Sequence, residues 1–162
     1  MHLHLCDFTT LSDVQKAMVL TWRNHEKIRA FMYTTHTISE KEHLHFIESL
    51  KTAQDKRYFL VYNGDEAMGV IDFTDITPLR ATIGLYANPT LSRKGVGKEL
   101  MRAIITYGFE TLHVKRFCAE AFAFNTKAKA LYEAFGFCET ARKTINKQEI
   151  ICMELDNEHR SF

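Results

Sequence analysis

Apolar and polar positions divide the chain into segments of two periods. The opening "HLHLCDF" alternates and predicts a short first strand. "LSDVQKAMVLTWRN" then carries Leu11, Val14, Met18 and Trp22 at helical spacing. In "SEKEHLHFIESLK", Ser39 and Glu42 make the S-x-x-E start of a second helix, with Leu44, Ile47 and Leu50 as its apolar side. Beyond it the period shortens to that of strands. "KRYFLVYNGDEAMGVIDFTDI" predicts two strands around Asn63-Gly64, because both residues tolerate positive φ. "RATIGLYANP" is a further strand ended by Asn88-Pro89. A long helix follows in "VGKELMRAIITYGFETL", with Leu100, Ile104 and Leu112 on one side. "KRFCAEAF" predicts a strand, and "NTKAKALYEAFGF" a helix stopped by Gly136. "CETARKTINKQEIICMEL" closes with two strands around Asn146-Lys147.

The order is therefore β-α-α-β-β-β-α-β-α-β-β, with no internal repeat and no linker. Strand, glycine loop, helix and strand in the middle form a crossover, so those two strands are expected to be parallel. The hairpins on either side must be antiparallel. A single α/β domain over residues 1–162 is predicted, with a mixed, mostly antiparallel sheet of about seven strands flanked by helices.

Composition narrows the partners. The net charge of +1 argues against a broad nucleic-acid surface, so any positive field must be local. Cys6, Cys118, Cys138 and Cys152 form no C-x-x-C pair, and no apolar run approaches the roughly 18–20 residues that span a bilayer. With no signal peptide read at the N-terminus, a soluble cytoplasmic protein with reduced thiols is expected. The pairs His2/His4 and His43/His45 lack further ligands at recognisable spacing, so no metal site is expected. Homo-oligomerisation is left open.

One stretch carries chemistry: "NPTLSRKGVGKELM". A Walker loop would need glycine at Ser92 and Ser or Thr at Glu99, and a dinucleotide fingerprint would need glycine at Leu100. What remains is a helix N-terminus at Arg93, Lys94, Gly95, Val96, Gly97 and Lys98. Its free N–H groups, dipole and basic side chains suit a pyrophosphate. A plain helix cap with solvated basic residues is the alternative.

Downstream, Asn125, Ala128, Leu131, Tyr132, Gly136 and Phe137 complete the pattern N-x-x-A-x-x-L-Y-x-x-x-G-F. With Gly95 and Gly97 before it, the chain resembles the GNAT superfamily of acyl-CoA-dependent N-acetyltransferases. Their loop reads Q/R-x-x-G-x-G/A; here Ser92 stands at the Gln/Arg position and Arg93 one place on. The resemblance implies acetyl-CoA as co-substrate and a central parallel pair that splays to admit its pantetheine arm. Main-chain groups of Leu85, Tyr86 and Ala87 would bind that arm, together with Asn125 and Lys129. Tyr132 would protonate the leaving thiolate. The glutamate many members carry on the strand before the loop is absent, Thr82 standing there. Asp72 and Glu120 are the remaining carboxylates in β-runs, either as base or as structural acceptor, and a water-mediated base stays open.

A narrower resemblance runs through "WRNHEKI", "FMYT", "YFLVYNGDEAMGVIDFTDI" and "IGLYANPTL". These resemble the branch of the family that acts in pseudaminic acid biosynthesis, acetylating the 4-amino group of a UDP-linked 4-amino-4,6-dideoxy-N-acetyl-altrosamine. It implies a nucleotide-sugar acceptor covered by Met32, Tyr33 and Phe46, with His43 bonding its phosphate or hydroxyls; these residues could equally be core. The WRN element is shared with members that acetylate protein N-termini. A peptide acceptor therefore stays open, as does a non-catalytic acyl-CoA-binding sensor.

Overall fold

Seven strands form one sheet, and an opening in its middle is what positions the site. The computed structural model describes residues 3–159. Along the chain run β1 (Leu3–Asp7), α1 (Asp13–Asn24), the short α2 (Glu26–Arg29) and α3 (Glu40–Ser49), then β2 (Arg57–Asn63), β3 (Glu66–Thr74) and β4 (Arg80–Ala87). Next come α4 (Val96–Ile105), continued by a π-helical turn (Thr106–Thr111), then β5 (Arg116–Phe122), α5 (Thr126–Ala134), β6 (Cys138–Ile145) and β7 (Gln148–Asp156). The order matches the sequence reading, with α2 and the π turn as additions. Gly108 explains how the π turn packs: a Cβ there would overlap the ring of Phe117, so the turn can press directly onto β5.

The strand order is β1-β2-β3-β4-β5-β7-β6, antiparallel except for β4 and β5. That parallel pairing covers only Arg80↔Arg116, Ala81↔Phe117 and Thr82↔Cys118. Both strands continue beyond it, β4 to Ala87 and β5 to Phe122, each paired only on its outer side. The central pair therefore splays from Ile83 onward.

One face of the sheet packs under α4 and α5. Phe59, Ile71, Phe73, Ile83, Phe117 and Met153 meet Leu100, Ile104, Phe109 and Phe135 there. The other face, over β1 to β3, is covered by Val19 and Trp22 of α1 and Ile47 of α3. Both helices begin with reciprocal capping boxes, Ser12 with Gln15 and Ser39 with Glu42, of which the sequence reading found only the second.

Three local expectations shift. Val14, expected on the apolar side of α1, is 79% exposed, and Val19 is buried in its stead. On α3, Leu44 is 40% exposed while His43 turns inward. The first hairpin turns at Gly64-Asp65 rather than Asn63-Gly64: Asn63 still pairs with Glu66, and Gly64 alone takes positive φ, at 60°. A glycine in the first central position is the II′ arrangement. The last hairpin turns at Asn146 and Lys147, with φ of 51° and 65°.

Gly69 fixes the height of β4 against β3. A Cβ there would overlap the carbonyl oxygen of Tyr86 and lie 2.9 Å from Leu100 Cδ1. Backbone cannot step aside as a flexible side chain can. Gly69→Ala should cost about 1–3 kcal/mol by overpacking and weaken acetyl-CoA binding by displacing the open edge of β4. Urea unfolding and calorimetry check both, and unchanged values would show that β4 is not set by this contact.

Candidate functional site

The opening is lined by main chain. β4 meets β3 in antiparallel register from Thr82↔Thr74 to Ala87↔Gly69, and Asn88 N donates to Met68 O at 2.8 Å. Antiparallel hydrogen bonds alternate along a strand. Tyr86 therefore turns its main-chain groups to β3, while Leu85 and Ala87 turn theirs to the opening. Of the three residues expected to bind an extended arm through their main chain, Tyr86 instead offers its side chain to the opposite face.

At the end of β4, Asn88 fixes the exit. Its Nδ2 donates to Ala67 O at 2.9 Å, and its Oδ1 accepts from Thr90 N and Oγ1 at 3.0 and 2.8 Å. Gly95 then enters α4 at φ 90°, which favours glycine, and no side chain caps the helix. The first intrahelical bond is Glu99 N to Gly95 O, 3.1 Å. The N–H groups of Val96, Gly97 and Lys98 precede it and stand without intrahelical partners. Lys94 and Lys98 are exposed beside them. Arg93 is a correction to the sequence reading. Its Nη2 bridges Glu66 Oε1 at 2.8 Å and Glu99 Oε2 at 2.9 Å, so its charge is already matched and braces the loop. Those carboxylates, Glu99 first, push its pKa up.

α5 lies alongside. A Cβ on Gly97 would touch Leu131 Cδ2 at 3.4 Å. Asn125 caps α5 through Oδ1, which accepts from Ala128 N at 3.2 Å, leaving its amide N–H groups for another acceptor. Lys129 is 3.8 Å from Glu133. Tyr132 is 6% exposed within the core under α4 and α5. Burial, then the charge of Asp72, pushes its phenol up to about 12, so it holds its proton at neutral pH.

On the other face lies a cavity of about 380 Å³, lined by Arg23, Met32, His43, Phe46, Tyr58, Asp72 and Tyr86 among others. It unites Met32, His43 and Phe46 of the expected acceptor set with Asp72. A larger recess of about 1030 Å³ opens at the far end of β4 and β5, around Leu79, Arg80 and Lys115. It contains none of the expected residues, and its Arg116 is paired with Asp156 at 2.7 Å.

Asp72 is the electrostatic centre of the smaller cavity. Burial raises its pKa from the ordinary carboxylate range to about 7. Its charge adds to burial in raising the phenols of Tyr58, Tyr86 and Tyr132. Arg23 supplies the positive end and was missed in the sequence reading. Its Nη1 is buried and has no hydrogen-bond partner among the described residues, while Nη2 reaches Thr34 O at only 3.4 Å. The signal lay in "TWRN": a guanidinium beside the buried Trp22, on the helix face that turns inward. His43, expected to bond the acceptor's phosphate or hydroxyls, is instead engaged with main chain. Burial lowers its pKa, and Nε2 must carry a proton to pair with Lys16 O at 2.9 Å.

Glu120 and Tyr33 lie apart from this cavity. Tyr33 donates to Glu120 Oε1 at 2.5 Å, and Lys143 Nζ is 2.8 Å from Oε2. Burial opposes that charge, but Lys143 and then Tyr33 overcome it and hold Glu120 below the usual carboxylate range. This is an ion-paired acceptor, poorly suited to take a proton at neutral pH. No group of three or more His, Cys, Asp or Glu among the described residues is placed to hold a metal ion. Of the histidine pairs, His43 is buried and His45 exposed, while His2 lies outside the described residues. No helix there is long and apolar enough to cross a membrane.

An unfolded carboxylate titrates near ~4, whereas Asp72 in the fold titrates at about 7. Folding therefore takes up a proton between those values, and stability falls as pH rises through that window. Asp72→Asn should raise the unfolding temperature by several degrees near pH ~8 and change it little near pH ~4. Equal effects at both would show that the charge is not buried.

Comparison with known proteins agrees with this geometry. Residues 2–138 match the acetyltransferase (GNAT) domain family. Acetyltransferase PseH of Campylobacter jejuni subsp. jejuni serotype O:23/36 is 43% identical over 131 residues, covering 81% of this chain and 82% of that protein. The crystal structure of C. jejuni N-acetyltransferase PseH in complex with acetyl coenzyme A superposes with a TM-score of 0.80 at 33% identity, over 96% of this chain and 99% of that one. Spermidine N-acetyltransferase from Vibrio cholerae, in complex with CoA and spermine, shares the fold with a TM-score of 0.85 at 20% identity. The chain belongs to the GNAT family of acetyltransferases.

Proposed function

We propose that this protein transfers an acetyl group from acetyl-CoA to the 4-amino group of a UDP-linked 4-amino-4,6-dideoxy-N-acetyl-altrosamine, a step of pseudaminic acid biosynthesis. The observation that carries the acceptor is the cavity. Among the described residues Arg23 Nη1 is buried there without a partner at one end, Met32, Phe46 and Tyr58 give apolar walls, and Asp72 stands at the other end. A buried guanidinium N–H group without an acceptor is costly unless a ligand anion completes it. A nucleotide diphosphate does so, while the aromatic rings suit a base and a deoxysugar. Likeness to PseH supports the same reading.

The residues present fit acetyl-CoA. The N–H groups of Val96 to Lys98, with Lys94 and Lys98, would hold its pyrophosphate. Leu85 and Ala87 would bond its extended arm as an added strand does, with the Asn125 amide beside it. When bound, acetyl-CoA supplies the thioester that is the acetyl donor. Asp72, half ionised near neutral pH, takes the proton of the acceptor amine; Tyr132, protonated throughout, gives one to the departing sulfur. Their environments drive the two pKa values apart, to about 7 and about 12, which separates a base from an acid.

Tyr132→Phe should lower kcat by about 10²–10⁴-fold with acetyl-CoA affinity unchanged. Wild-type turnover would remove Tyr132 from the mechanism. For the acceptor, UDP alone should inhibit competitively against the aminosugar. Arg23→Met should raise acceptor KM by about 10–100-fold, the loss of a charge-assisted contact. The same variant should leave acetyl-CoA affinity intact and the unfolding temperature no lower. Acetylation of an N-terminal peptide without any response to UDP would replace the nucleotide sugar with a protein acceptor.

A further inference from the structure

Tyr58, Asp72 and Gly84 are neighbours in register across β2, β3 and β4, forming one rung of the sheet. The third member has no side chain, and its backbone does not explain why. Positive φ among the described glycines occurs at Gly64, Gly69, Gly95 and Gly136, and Gly84 is not one of them. In an ordinary strand conformation glycine is the weaker choice, and it commonly marks a place where something must approach closely.

What approaches is the Asp72 carboxyl group. A Cβ on Gly84 would lie 2.7 Å from Asp72 Oδ2, 3.0 Å from Oδ1 and 3.1 Å from Cγ. Three nearly equal distances mean that the carboxyl group lies across Gly84 and leans from β3 onto β4. Beyond β4 on that side is the opening, because pairing with β5 has ended at Thr82↔Cys118. Continuing that register by two residues brings Gly84 level with Glu120, across the gap.

We infer that Gly84 is a positioning residue: the absence of its side chain lets the Asp72 carboxylate lie over β4, between the acceptor cavity and the splayed edge. This rests on the reading of Asp72 as the base. Any side chain at Gly84 would return the carboxylate to the cavity and hold it off the edge where the amine must react. Folding would be spared, because the displaced group is the end of a side chain and not backbone. Acetyl-CoA binding would be spared too, since the main-chain groups turned to the opening belong to Leu85 and Ala87.

The test is Gly84→Ala, alone and combined with Asp72→Asn. The single variant should fold with an unfolding temperature at or above that of the parent. It should keep its acetyl-CoA dissociation constant and acceptor KM, and lose kcat by about 100-fold, the scale for an ångström of misplacement. In the Asp72→Asn background the same change should have no further effect, because it acts through that carboxylate. Full activity in Asp72→Asn would overturn the base reading, and this inference with it. Loss in Asp72→Asn but full activity in Gly84→Ala, or additive losses in the double variant, would overturn the positioning role alone. Should Gly84→Ala not fold, Asp72→Glu decides: a longer carboxylate cannot rest over Gly84 and should also lose about 100-fold. Parent-like kcat in that variant would overturn the inference.

Discussion

Everything in the site depends on the parallel pairing of β4 and β5 ending after three residue pairs. The break is tolerable because each strand is secured from outside, β4 by six pairs with β3 and β5 by seven with β7. What remains unmet is one short row of main-chain groups on the inner edges. A net hydrogen bond is worth about 1 kcal/mol, so the opening costs a few such bonds and leaves a template for an extended ligand. Buried Leu100 and Ile104 of α4 pack over one face of the sheet, and Tyr33, bonded to Glu120 and edge-on to Phe122, ties the segment after α2 to β5 on the other. The gap is thus a fixed feature of a rigid sheet.

The two ends of the acceptor cavity carry opposite burdens. Among the described residues Arg23 Nη1 has no partner, and Asp72 is a half-buried acid whose charge burial disfavours. Neither arrangement stabilises the free protein; the Asp72 charge in turn adds to burial in keeping the phenols of Tyr58, Tyr86 and Tyr132 protonated. Such defects persist where a ligand completes them. An acceptor that is anionic at its diphosphate and basic at its amine is complementary to both. Arg93, which looked from its position in the loop like the ligand's cation, is by contrast fully matched by Glu66 and Glu99.

The legible parts of the sequence were those encoded locally. Periodicity and turn residues gave the order of elements, because face and turn are decided within a few residues. The glycine entry to α4 was legible in its own loop, and with the motif at Asn125 and Tyr132 it identified the family. What eluded the reading depends on distant partners. Glu66, which neutralises Arg93, is on another strand, and Lys143, which neutralises Glu120, is two strands away across the sheet. Val14 and Val19 both suited the apolar side of α1, and only packing onto β2 and β3 chose between them. Arg23 and Gly84 were visible as anomalies, a guanidinium on an inward helix face and a glycine inside a strand. Gly84 acquires meaning only when strand register puts Asp72 beside it, and Arg23 only when α1 packs over the cavity that Asp72 also lines.

The proposed acid and base stand on opposite faces of the sheet. Tyr132 belongs to the core under α4 and α5, whereas Asp72 faces the cavity under α1 and α3. A continuous sheet would stand between them as a layer of paired backbone. The charge of Asp72 adds to burial in raising the phenol of Tyr132. The sheet is interrupted at the opening, with Gly84 on its border. A donor lying along the edge of β4 and an acceptor seated in the cavity can therefore meet only there, where the proton leaves toward one face and arrives from the other. On the proposed reading the splay serves binding and chemistry at once: the same missing strand pairs that would receive the donor's arm would let a base and an acid on opposite sides of one sheet serve one reaction.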